Sequence, residues 1–281
     1  MQEPDEPLPA RATGSQIGRA VLSLLIVFVV VFALAAVTRG RLSLPIQEIV
    51  GASAAFVLYV LLSRWLEHWH LPETNPHGRT IECAGGVALG IGLFSAVMAA
   101  LWFLGAYHPV GWGGLSGLAS GLLLAAGSAV LEEILFRAYL YRILAMVSGT
   151  WISVLLTAAF FGAAHAGNHG ATLFSSIAIA LEAGVLLSGA YAATGRLWVP
   201  IGLHFGWNFA ESTLFGMSVS GLPETSALSH GTLKGSALLT GGAFGPEASI
   251  AAVCLCLVPG IAFLWHTARK GRVQPPVWNR Q

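Results

Sequence analysis

Leu131-Glu132-Glu133-Ile134-Leu135-Phe136-Arg137 sets two adjacent carboxylates and a guanidinium into a stretch that is otherwise uncharged. From Cys83 to Leu131 there is no Asp, Glu, Lys or Arg, so the two acids arrive inside what must be membrane. Ionisable side chains are costly at that depth, and by default they mark function. On a helix, Glu133 and Arg137 stand four apart with the acid on the N-terminal side, the favoured order for an ion pair, while Glu132 points about 100° away. The spacing assigns Glu133 to Arg137 and leaves Glu132 free to act as a base. The competing reading is that both acids pair with arginines and merely fasten helices together.

The wider composition agrees with a membrane setting. The 281 residues are 55% hydrophobic and 10% charged, against roughly a quarter charged in soluble domains. A net charge of +1 and the lack of a basic stripe outside the loops argue against a nucleic-acid partner. Cys83, Cys254 and Cys256 are read as buried packing residues.

Residues 1–16 are polar and hold Pro4, Pro7 and Pro9 among acids, the composition of a disordered cytoplasmic tail. Ala20 to Thr38 follows as a first span. Ala33-Leu34-Ala35 resembles a signal-peptide cleavage site, but the acidic tail is a poor positive n-region, so an uncleaved span is expected. Further spans cover about Ile46–Leu66, Cys83–Tyr107, Leu115–Val147, Trp151–Ala166, Ala171–Ala193, Leu197–Phe215 and Ala248–Trp265. The expected fold is all-α, a polytopic bundle of about eight transmembrane helices forming a single domain over 17–268. Its motif-bearing core is 115–215, one long loop covers 217–247, and 269–281 is a basic cytoplasmic tail. With the N-terminus inside, every Lys and Arg except Arg39, Arg41 and Lys234 falls on the inner side, which puts both termini in the cytoplasm of a cell with this protein in its plasma (inner) membrane.

Two further helices supply company for Glu132. Glu132 lies sixteen residues before Ser148 and His165 sixteen after Gly149, so an antiparallel hairpin turning at Ser148-Gly149 brings them to equal depth. His204 and Asn208 lie four apart on one helical face. His204 is roughly 13 Å along its helix from the Gly195 turn, and Glu132 and His165 are about 25 Å from theirs. The heights agree if the hairpin projects about 10 Å into the cytosol, which gives a shallow intramembrane site open to the cytoplasm.

A glutamate, two imidazoles and an amide in a low-dielectric cavity suit hydrolysis of an amide bond. Glu132 would take a proton from water, alone or with the water on a metal, and His165 would position it. His204 and Asn208 could serve as oxyanion donors, or Glu132, His165 and His204 could ligate zinc. Spacing leaves these alternatives open.

Glu132-Glu133 with Arg137 four beyond, Phe161 with His165 four beyond, and His204 with Asn208 four beyond resemble the three ordered motifs of the CPBP family, which comprises type II CAAX prenyl endopeptidases and bacteriocin-processing or ABI proteins. Thr194-Gly195-Arg196-Leu197-Trp198-Val199-Pro200-Ile201-Gly202-Leu203-His204 also resembles that family's approach to its third motif, and the similarity covers about 115–215. The resemblance implies an eight-helix intramembrane endopeptidase with a cytoplasm-facing cavity. It assigns water activation to Glu132, its partner role to His165, oxyanion stabilisation to His204 and Asn208, and support to Glu133, Arg137 and Phe161. The family has been described both as metal-dependent and as metal-free, so Zn2+ stays open. The implied partner is a membrane-associated peptide or protein, prenylated in the eukaryotic members.

Other polar residues are less decided. Glu182 could line the cavity or pair within the bundle, Glu211 lies near the face of Asn208, and His230 and His266 read as surface residues. A rhomboid-like serine protease built on Ser218, and a non-catalytic scaffold, immunity protein or transporter, are the rival readings.

Overall fold

A computed structural model describes residues 13–222 and 227–279. Thr13 caps the first helix, α1 (Gly14–Thr38), in a reciprocal arrangement with Gln16, so the helix takes in residues 14–16 that composition assigned to the tail; the rest of that tail lies outside the described residues. After a tight turn come α2 (Leu44–Leu62), extended by a π-helical turn at Ser63–Glu67, and α3 (Arg79–Phe103). Strand β1 (Tyr107–Trp112) leads to α4 (Leu118–Glu133), which runs through a π-helical stretch at Ile134–Tyr141 into α5 (Arg142–Ala164). Helix α6 (Leu173–Ile179) passes through a π turn at Ala180–Gly184 into α7 (Val185–Thr194). Helix α8 (Trp198–Asn208) ends in another at Phe209–Leu214, followed by β2 (Ser229–Leu233), the short α9 (Ala237–Thr240) and α10 (Ile250–Arg269).

The fold is 73% helical. Among the described residues, six helical stretches are long and apolar enough to cross a membrane, the fourth being a 47-residue run, Leu118–Ala164. Straight, that run would measure about 70 Å, twice a bilayer's core. It turns instead at Gly149, whose φ of 71° and ψ of −178° leave the helical region. Of the eight expected spans, 151–166 is therefore the return limb of this stretch, and 197–215 is α8 with its π turn, eleven and six residues, shorter than the six. The chain is not wholly α: β1 and β2 pair antiparallel, with a bulge between Pro109 and Gly111, and cover the end of the bundle next to the long loop. Of the three cysteines expected to be buried, Cys256 is, Cys83 on α3 is half-buried, and Cys254 is exposed on α10.

Helix α8 is held against α3 by facing glycines. A methyl group on Gly86 would come within 2.5 Å of Val199 O, one on Gly90 within 2.2 Å of Leu203 O, and ones on Gly202 and Gly206 within 2.2 and 2.4 Å of Cys83 O and Val87 O. Such small-xxx-small surfaces let two backbones touch where lipid supplies no hydrophobic drive. The contact fixes the height of His204, which lies between the two α8 glycines.

The two ends of the bundle differ. At one end lie the Gly149 and Gly195 turns, the 68–78 connection and residues 270–279, tied together by Arg196 donating to the carbonyls of Asn75 and His77, by Arg272 donating to Ala193 O and by Thr150 bonding Gln274 in both directions. The expected C-terminal tail is thus docked across the Gly149 turn. Inside this end, Arg142 pairs with Glu67 at 2.7 Å, both buried, among Tyr139, Tyr141, Tyr191 and Leu197. The other end carries the 39–43 turn, the β1–β2 ribbon, the 165–172 connection and the long loop.

Glu73, in the 68–78 connection, is almost fully buried, and its carboxylate accepts from Trp69 Nε1 at 3.0 and 3.1 Å. Burial pushes its carboxyl up to about 7 against the opposing pull of Arg142. Between an unfolded value of 4.5 and about 7, the folded protein holds a proton that the unfolded chain has released, so stability falls as pH rises through this window, by roughly 3 kcal/mol for this group. Detergent-solubilised protein should melt higher at pH 5 than at pH 8, and Glu73→Gln should remove most of that difference.

Candidate active site

The motif helices converge near mid-bundle. Glu133 is fully buried, and its Oε1 accepts from Arg137 Nη1 at 2.8 Å and from His204 Nδ1 at 2.9 Å. The expected pair of Glu133 and Arg137 is present, and it also holds the third motif's histidine. Glu132, one residue earlier and pointing elsewhere, is 26% exposed; its Oε2 lies 3.9 Å from His165 Nε2 and 3.9 Å from His204 Nε2. That oxygen has no hydrogen-bond partner among the described residues. Contact between Glu132 and His165 is possible only because the helix reverses at Gly149, as the equal spacing to that turn anticipated.

The tautomers of the two imidazoles follow from their other contacts. His165 caps the C-terminal end of α5, where the last carbonyls lack helical partners, and its Nδ1 lies 2.7 Å from Phe161 O. A carbonyl only accepts, so Nδ1 carries the proton and Nε2 is left bare toward Glu132. His204 donates from Nδ1 to the Glu133 carboxylate and likewise turns Nε2 to Glu132. The Phe161 ring fills the space between these groups: its centroid lies 4.8 Å from that of His165 and 6.1 Å from that of His204, with the Arg137 guanidinium 4.7 Å above it. Phe161 therefore touches these groups through both its carbonyl and its ring.

Asn208 donates to Ser128 Oγ at 3.1 Å. Ser128 is one turn before Glu132 on α4, so Asn208 sits a turn away from the carboxylate, on the side of the long loop. Ser128 is a contributor that sequence patterning passed over, because a serine in an apolar helix gives no signal. Ser218, the rival nucleophile, donates to Phe244 O and does not line the cavity.

A cavity of about 440 Å3 joins these groups, with Glu132, His165, His204 and Asn208 on its wall. Its lining continues to Leu44, Glu48, Val219, Ser220, Leu222 and Glu247, and Leu44 and Leu222 at the rim are exposed. All six belong to the end with the long loop. Toward the Gly149 and Gly195 turns the way is filled by Arg137, Ala138, Tyr141, Tyr191, Leu197 and Ile201, all buried. The site therefore opens toward the end with the long loop, away from the Gly149 and Gly195 turns.

Glu132, His165 and His204 supply the donor types of a zinc site, and both histidines bond outward from Nδ1 as zinc ligands do. Their spacing does not fit the ion: donors on a tetrahedral zinc are about 3.3 Å apart, the glutamate oxygen here lies 3.9 Å from each nitrogen, and no three His, Cys, Asp or Glu side chains among the described residues are placed to hold a metal.

Among known proteins, the family model described as Type II CAAX prenyl endopeptidase Rce1-like matches residues 113–210. No curated protein matches the chain.

Replacing Arg137 by Met strands the buried Glu133 carboxylate, a loss of about 3–5 kcal/mol for a buried pair deprived of one partner. Folded yield in detergent and melting temperature should fall sharply, and the double change Glu133→Gln with Arg137→Met should recover part of the loss.

Proposed function

We propose that the chain, which is similar to the type II CAAX prenyl endopeptidases through residues 113–210, hydrolyses a peptide bond of a membrane-associated peptide or protein with water activated by Glu132. The observation that carries this reading is the unpartnered Glu132 Oε2 facing two bare imidazole nitrogens at equal distance. A water in that gap donates one hydrogen to Glu132 and the other to His165, which leaves a lone pair directed at a carbonyl carbon in the cavity. As the water oxygen attacks, its proton passes to Glu132, and from there to the leaving amine nitrogen when the C–N bond breaks. Asn208 keeps a second amide N–H for the developing oxyanion. His204, anchored through Nδ1 on Glu133, joins it as a donor from Nε2 once it has taken up a second proton.

Glu132→Gln should abolish cleavage while melting temperature and yield stay unchanged; comparing the peptidomes of cells carrying the intact and Gln proteins is the direct measurement. No difference between them favours a scaffold, immunity or transport role. Cleavage should also persist in chelator, and loss that zinc restores would move the water onto a metal held by Glu132, His165 and His204.

Orientation follows from charge. Of the described Lys and Arg, only Arg39, Arg41 and Lys234 lie at the end with the cavity mouth, and basic residues accumulate on the cytoplasmic side. With both termini in the cytoplasm of the plasma (inner) membrane, the mouth faces the opposite side, in place of the cytoplasm-facing site expected from sequence. In a cysteine-free background, Leu222→Cys should react with an impermeant maleimide in intact cells and Gln274→Cys only after lysis; the reverse pattern would return the site to the cytoplasm.

A further inference from the structure

The turn that ends α2 sorts its charges. Within Arg64-Trp65-Leu66-Glu67-His68-Trp69-His70 the acid is turned inward: Glu67 is buried on Arg142, and Glu73 just beyond is buried against Trp69. Arg64, His68 and His70 are exposed, and with Trp69 they line an open recess of about 390 Å3 that has no acid on its wall. Among the described residues, none of these three makes an ion pair or a side-chain hydrogen bond. Nor are they spent as helix caps. The helix end is closed by its own backbone, with Ser63 O accepting from the N–H groups of His68 and Trp69.

The recess stands on a rigid floor. Trp69 donates from Nε1 to the Glu73 carboxylate, and its ring lies 5.2 Å from the Arg142 guanidinium. On either side of it the backbone is left-handed, with φ of 56° at His68 and 58° at Leu71. A bulky residue such as Leu71 keeps that conformation only where its surroundings impose it, and such strain gathers at ligand clamps. The two reversals bring His68 and His70 back beside Arg64 on one recess.

Its place in the fold names the ligand. Arg64 lies in the last turn of a stretch apolar enough to cross the bilayer, Leu44–Glu67, and the neighbouring Trp65 is 75% exposed. Tryptophan at the end of a span marks the headgroup level, and the anion found there is phospholipid phosphate. A guanidinium fork matches two phosphate oxygens, and each imidazole adds an N–H donor.

We propose that Arg64, His68 and His70, on the floor made by Trp69, bind the phosphate of one phospholipid whose headgroup carries no cation of its own. Choline would set a second cation against Arg64; glycerol sets none. The bound lipid fastens the 68–78 connection to the bundle and stabilises the folded protein by mass action. The site stands independently of the protease reading.

Full-length protein in a neutral detergent is titrated with phosphatidylglycerol or with phosphatidylcholine of the same acyl chains, and the lipid retained is read by native mass spectrometry. The first phosphatidylglycerol should bind about tenfold more tightly than phosphatidylcholine, the worth of one hydrogen bond to a charged group. It should also raise the melting temperature. Combining Arg64→Gln, His68→Gln and His70→Gln should erase both effects, whereas Arg39→Gln with Arg41→Gln at the other end should leave them intact. Equal binding of the two lipids, a preference that survives the triple change, or one lost equally in the Arg39 and Arg41 variant overturns the site. Displacement of the lipid by millimolar inorganic phosphate overturns the lipid assignment in favour of a free anion. If the triple variant does not fold, the same comparison with Arg64→Gln alone decides.

Discussion

One carboxylate oxygen, Glu133 Oε1, takes hydrogen bonds from a guanidinium and an imidazole on different helices, with nothing of Glu133 exposed. In an interior of low dielectric each of these groups is tolerable only with the others present. The bond to His204 sets where α8 stands relative to α4 and which ring nitrogen is left for the cavity. The bond to Arg137 brings the guanidinium over Phe161, whose carbonyl in turn orients His165. Glu132, beside this knot but outside it, keeps its oxygen free because its neighbour has absorbed the available donors.

Much of this arrangement is legible in local spacing. The four-residue interval between Glu133 and Arg137 is a property of one helix, and the equal distances of Glu132 and His165 from Gly149 are a property of one hairpin. Both follow from helical rise and periodicity. The height of His204 needed a tertiary fact, the glycine contact of α8 with α3, although Gly86, Gly90, Gly202 and Gly206 are visible as four-residue repeats. Phe161's carbonyl could not be foreseen from residue type, since any residue there has one.

What sequence could not yield depends on the loops. Glu247 lies in a Gly-rich stretch outside the spans and looks like a solvated surface acid until the loop folds over the cavity. The β1–β2 ribbon is similarly hidden, because Pro109 and the Gly113-Gly114 pair mask a strand that pairs with residues more than a hundred positions away. The end of the bundle toward which the cavity opens is hidden for the same reason: it depends on which end is filled by Tyr141, Tyr191 and Leu197 and which is roofed by loop residues. Three of the π turns, at Ile134–Tyr141, Ala180–Gly184 and Phe209–Leu214, immediately follow or contain Glu133, Glu182 and Glu211. Such insertions of an extra residue per turn recur at functional sites because they re-aim side chains, and sequence periodicity does not announce them.

The hairpin that brings Glu132 to His165 is clasped at its bend by a segment from the far end of the chain, Thr150 to Gln274, 124 positions on. During synthesis the bend is made long before its clasp exists, and every later helix must be threaded into the bilayer first. The bend that pairs Glu132 with His165 is thus clasped only after α6, α7, α8 and α10 have been made.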